Sequence, residues 1–73
     1  MIGRTNLSRS QNKILQLILD SRYPLTQKEI AKETGFSART IKYAIKLLIE
    51  LNAITEFHDL KDLRIKNYGG KNG

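Results

Sequence analysis

A mainly α domain closed by a small β-hairpin is what this 73-residue sequence predicts, and three observations carry the prediction. Two capping boxes, Ser8 with Gln11 and Thr26 with Glu29, open helices at two places. In each, the hydroxyl accepts from an orphan backbone N–H and the residue three positions on reaches back to the cap. Gly35 followed closely by Ser37 stops one helix in the left-handed conformation and starts another, leaving only Gly35 and Phe36 for the turn. Beyond residue 53 the helical period gives way to two short runs rich in β-branched and aromatic residues, Ile54–His58 and Leu63–Tyr68. They flank the four-residue polar turn Asp59-Leu-Lys-Asp62, as in a hairpin.

The elements follow in order. Met1 to Asn6 has no periodicity and is expected to be a flexible arm. A first helix over 8–21 carries Leu7, Ile14, Leu15 and Ile18 on one stripe, with Leu17 and Leu19 widening the apolar arc. Two explanations of that width stand side by side: burial of the helix on most sides, or contact of Leu17 or Leu19 with a second copy of the chain. Pro24 ends the helix region, since its ring disfavours helical geometry at Tyr23 and it lacks an N–H. A second helix over 27–34 turns Ile30 and Ala31 inward and Lys28, Lys32 and Glu33 outward. A third over 38–51 places Ile41, Ala44, Ile45 and Leu48 on one side. Arg39, Tyr43, Lys46 and Glu50 lie on the other, with Lys42 at its edge. In the second hairpin run Leu63 and Ile65 alternate with Arg64 and Lys66, so that one face is expected to meet the core and the other to be basic. Gly69 to Gly73 reads as a flexible tail, leaving 8–68 as the folded part of one domain, 1–73.

Size and charge narrow the function. A domain this small buries only about 60% of its unfolded surface, so its core must pack well or be supplemented. There is no cysteine, which excludes disulfides and cysteine metal sites. A net charge of +6 and a pI near 9.9 call for an acidic partner, most commonly nucleic acid for a small basic domain. No apolar run approaches the roughly eighteen residues of a membrane span, and no apolar segment follows a basic start. A cytoplasmic location with no membrane partner is therefore expected.

Thr26 to Ile54 resembles the winged helix-turn-helix of the MarR and TrmB type of prokaryotic transcription regulators. The matching residues are Leu25, Thr26, Glu29, Ile30, Ala31, Gly35, Phe36, Ser37, Thr40, Ile41, Ile45, Leu48 and Ile54. Asn52-Ala53 stands where such sequences commonly have a glycine, and asparagine also tolerates the left-handed conformation. The resemblance implies a three-helix bundle plus wing. Its order would be α1 (8–21), β1 (a very short strand at Leu25 that pairs with the wing), α2 (27–34), α3 (38–51), β2 (54–58) and β3 (63–68). It also implies a second helix of the motif that enters the DNA major groove.

On this reading the chain is a sequence-specific double-stranded DNA-binding protein and a transcription regulator. Ser37, Arg39, Thr40, Lys42, Tyr43 and Lys46 would occupy the major groove, and Gln27, Lys28, Lys61, Arg64 and Lys66 the backbone. Asp59 and Asp62 make the wing tip a poorer phosphate ligand than the strand behind it. A homodimer through the first helix would present two recognition helices to two half-sites.

The alternative is a protein-interaction module of a larger transcription or replication assembly, favoured if Leu47, Ile49 and Leu51 prove to be exposed. A single-stranded nucleic acid or RNA role would need exposed stacking aromatics, for which only Tyr23, Tyr43 and Tyr68 qualify. An enzyme is not expected. There is no Gly-rich phosphate loop or nucleophile elbow, Glu29 is engaged as a cap, and the lone His58 has neither cysteine nor second histidine with which to hold a metal. No cofactor and no small-molecule ligand are expected, the length leaving no room for an effector-binding domain.

Overall fold

A computed structural model describes residues 7–70. The expected arm 1–6 and residues 71–73 of the expected tail lie outside the described residues. The order is α1 (Arg9–Asp20), β1 (Leu25–Thr26), α2 (Gln27–Thr34), α3 (Ala38–Glu50), β2 (Ile54–His58) and β3 (Lys66–Gly70). The mainly α fold with a wing is thus the one the sequence predicts.

The helix ends are made by the local chemistry that announces them. Ser8 Oγ accepts from Gln11 N–H at 3.2 Å and Gln11 Oε1 accepts from Ser8 N–H at 3.0 Å. Thr26 and Glu29 repeat the arrangement at 3.1 and 2.8 Å. Gly35 takes φ +77° and donates its N–H to Ala31 O at 2.8 Å, while Thr34 Oγ1 accepts from Phe36 N–H at 3.2 Å, so the two-residue turn leaves no donor stranded. At the far end of α3, Asn52 adopts φ +63°. Ala53 N–H reaches Leu48 O and Asn52 N–H reaches Ile49 O, each at 2.9 Å, the paired bonds of a Schellman stop with asparagine in the glycine position.

The core lies where the three helices and the sheet converge. Ile14 and Ile18 come from α1, Ile30 from α2, and Ile41, Ala44, Ile45 and Leu48 from α3; Leu25, Ile54 and Tyr68 close it from the sheet. The four inward positions expected on α3 are all buried. Leu17 packs partly against this core, and Leu19, although 46% exposed, covers the end of β3. A Cβ added at Gly70 would meet its Cδ2 at 2.9 Å. Part of the wide apolar arc of α1 is therefore used within the chain.

The sheet is antiparallel in the order β1-β3-β2, with Tyr68 of β3 between Leu25 and Glu56. Here the structure corrects two expectations. The strand starts at Lys66 rather than Leu63, and Leu63 and Ile65 do not meet the core: they are 66% and 42% exposed. Between the strands, Asp59 Oδ1 accepts from Lys61 N–H at 2.7 Å and Asp62 Oδ1 from Arg64 N–H at 3.0 Å. Such aspartate turns draw the backbone off the ladder, lengthening the expected four-residue turn to residues 59–65. The second correction is at the other end. Gly69 and Gly70, expected in a flexible tail, pair with Thr55 and Ile54.

Candidate nucleic-acid interface

The exposed side of α3 is a ridge. Arg39, Tyr43, Lys46 and Glu50 recur at three- and four-residue spacing, and all four are exposed. Arg39 places its guanidinium carbon 5.7 Å from the centroid of the Tyr43 ring, one turn further on, so a cation is stacked on an aromatic that is itself 59% exposed. At the start of the helix Ser37 Oγ accepts from Thr40 N–H at 3.2 Å and lies 3.0 Å from Thr40 Oγ1. These two hydroxyls, both expected in the interface, are engaged with the cap and with each other.

Beside the ridge runs an open groove of about 600 Å³ between the start of α2, α3 and the wing. Lys28, Lys42, Lys46, Arg64 and Lys66 line it, and Gln27 joins them. The capping box that starts α2 brings Lys28, helical periodicity brings Lys42 and Lys46 to one edge, and sheet register brings Lys66. Ile45, Ile49, Ile65 and Tyr68 supply its apolar lining. Ridge and groove share Lys46. Five basic residues that the sequence scatters over nearly forty positions thus meet in one place, while Ser37, Arg39, Thr40 and Tyr43 stand outside the groove and Lys61 lies in the loop beyond it.

The wing cations carry internal partners. Arg64 donates to both oxygens of Asp62 at 3.1 Å, a fork-to-fork pair with the Arg64 side chain 90% exposed. Hydrogen bonds from the Arg64 side chain and then its backbone hold the Asp62 carboxyl below the ordinary carboxylate range, and the same pair raises the guanidinium further. Lys66 Nζ lies 3.6 Å from Glu56 Oε2. Sequence reasoning missed Glu56. The available signal was its two-residue spacing from Ile54 and His58 in a short strand, which places all three on one face.

Two competing readings of exposed side chains change here. Tyr68 is 7% exposed and unavailable as a stacking platform; burial first and Glu56 second push its hydroxyl pKa up. On the flank of α3, Ile49 packs against the core and Leu47 is half-buried, leaving Leu51 exposed at 40%.

A family model described as an HTH domain matches residues 10–66, which is α1 through to the first residue of β3. The chain belongs to that HTH family. No curated protein sequence matches it. Among solved structures, Staphylococcus aureus MepR in complex with DNA superposes with a TM-score of 0.78 at 26% identity, over 88% of this chain and 52% of that one. The adhesin competence repressor AdcR of Streptococcus pyogenes gives 0.78 at 28% identity, over 88% and 46%. A point mutant of Lactococcus lactis ZitR gives 0.80 at 23% identity over 96% and 47%, a likeness of fold alone. This HTH chain spans about half the length of the proteins it matches. The resemblance carried by Thr26 to Ile54 is confirmed as a winged helix-turn-helix. No helix among the described residues is long and apolar enough to cross a membrane.

Proposed function

We propose that this winged helix-turn-helix binds double-stranded DNA in a sequence-specific way and serves as a transcription regulator. In this reading α3 lies in the major groove and the wing follows the backbone. One observation carries it: cations from α2, α3 and the wing converge in one groove alongside a ridge bearing Arg39 and Tyr43. MepR, solved in complex with DNA on a similar fold, supports DNA as the partner. With α3 in the major groove, the N-terminal half of the recognition helix meets base edges, which is where Arg39, stacked on Tyr43, stands. Lys28, Arg64 and Lys66 would take phosphates, with Gln27 at the start of α2 and Lys61 at the loop, while Lys42 and Lys46, on the recognition helix in the major groove, line the edge that faces these cations and would meet the phosphates bordering it.

The test compares Arg39→Ala with Arg64→Ala. A preferred duplex is selected from a random pool, and competition against a scrambled duplex is measured at two salt concentrations. An arginine on guanine contributes about 1–3 kcal/mol of discrimination. Arg39→Ala is therefore expected to flatten preference by that amount. Arg64→Ala weakens both duplexes alike and lowers the salt slope by up to roughly 0.9. Equal losses from the two variants on both duplexes would make α3 a backbone clamp and end the claim of sequence reading.

A homodimer through α1 is the second part of the proposal, supported by Leu19, which lies against Gly70 yet leaves 46% of its surface exposed on that helix. It would set two α3 helices on half-sites about 34 Å apart. Sedimentation at micromolar concentration should show twice the monomer mass, and a palindrome should emerge from the selection. A monomer both free and on DNA would exclude it.

A further inference from the structure

Of the charged residues lining the groove, five are basic and one, Glu56, is acidic. It sits on β2 opposite Tyr68, and the register of β2 on β3 puts it on the same sheet face as His58 and Lys66. Its Oε2 lies 3.6 Å from Lys66 Nζ and 3.6 Å from His58 Nε2, with the side chain 31% exposed. The carboxylate is therefore paired with the Lys66 ammonium and open to the groove, with the His58 ring beside it and the other nitrogen of that ring 3.1 Å from Leu63 O. Its influence reaches the groove lining, for it raises the pKa of the Tyr68 hydroxyl beyond what burial alone does.

A lysine that meets a DNA phosphate ordinarily does so at the expense of dissolved counterions, which leave. Lys66 must instead release a carboxylate that is tethered to the neighbouring strand and cannot leave. In a partly exposed pair the attraction is weak enough for phosphate to displace. Once displaced, Glu56 stays tethered to β2 at the edge of the groove, its side chain still 31% exposed.

Resting on the reading of this face as a duplex-binding surface, we infer that Glu56, the carboxylate within the groove lining, is an internal counterion to Lys66, as Asp62 is to Arg64 from the loop, and a determinant of discrimination between duplexes. It holds Lys66 in the free protein. It yields the ammonium to a phosphate that the docked α3 keeps in place, and repels a backbone that is only loosely held. Non-specific association relies on charge alone, so it bears the penalty throughout. The preferred complex, its backbone positioned by contacts from the Arg39 ridge, is relieved of part of it.

The experiment is a double-mutant cycle of Glu56→Gln and Lys66→Ala in the full chain, read as affinity and salt slope on the preferred and scrambled duplexes. Glu33→Gln, an equal charge change at an exposed position of α2 outside the groove, is the control, and melting curves establish that each variant folds. Glu56→Gln should tighten scrambled duplex about two- to fivefold, the scale of one exposed pair, and tighten the preferred duplex less. Lys66→Ala should lower the salt slope by clearly less than about 0.9 in the wild-type background and by the full amount beside Glu56→Gln. An additive cycle, or the same gain from Glu33→Gln, overturns the inference while leaving duplex binding intact. A wild-type chain that binds neither duplex overturns the DNA-binding reading and this inference with it.

Discussion

Replacing Lys28, Lys42, Lys46 and Lys66 together by alanine is expected to abolish measurable duplex binding at moderate salt while leaving the thermal unfolding transition nearly unchanged. All four are exposed and line one groove, and none contributes to the buried core. If each meets a phosphate, the salt slope of log affinity should fall by up to about 3.6, four times the slope of one contact. The share of Lys66 is smaller to the extent that Glu56 already neutralises it. Titrations at four salt concentrations, followed by fluorescence anisotropy, give the slope directly. Retention of the wild-type slope by the quadruple variant would place the interface elsewhere on the molecule.

The second large effect concerns folding. Ile41 is 0% exposed on the inner side of α3, in the core that α3 shares with α1, α2 and the sheet. Truncating a buried isoleucine to alanine removes its transfer free energy and leaves a cavity, a cost of about 2–5 kcal/mol. A domain of this length has a total stability of only about 4–11 kcal/mol at the usual value per residue. Ile41→Ala should therefore shift the urea midpoint down by roughly a fifth or more and populate unfolded chain on modest warming. Circular dichroism at 222 nm would follow it. A loss below about 1 kcal/mol would mean that the core re-closes around the missing atoms, and that α3 is held chiefly by its caps.

The two predictions separate the chain's surfaces as its sequence already does. Periodicity in α3 distinguished Ile41, Ala44, Ile45 and Leu48 from Arg39, Tyr43 and Lys46, and the structure buries the first set and exposes the second. The capping boxes, Gly35 and Asn52 are equally legible, because each is a bond or a backbone preference confined to a few neighbouring residues. With those ends determined, the lengths of α2 and α3 and the tight turn between them follow, as does the exposure of the basic ridge.

The wing is where local information ran out. Alternation within Leu63–Tyr68 assigned Leu63 and Ile65 to the core, whereas Tyr68 is the residue buried there and Lys66 shares its face. Side chains in a strand alternate with period two, so placing the strand one residue out of phase exchanges its faces. What determines the phase is not in the run itself. Pairing of Tyr68 with Leu25 and Glu56, of Gly69 and Gly70 with the start of β2, and the close fit of Leu19 against Gly70 are contacts between residues about twelve to fifty positions apart. The aspartate turns at Asp59 and Asp62 then absorb the residues left over. That long-range register also sets Glu56 beside Lys66 and draws Lys28, Lys42, Lys46, Arg64 and Lys66 around one groove. Sequence alone determined the helices, their caps and the basic face of α3, since their causes are local; only tertiary pairing decided the phase of the wing and the carboxylate within the groove, since both depend on strands meeting across the chain.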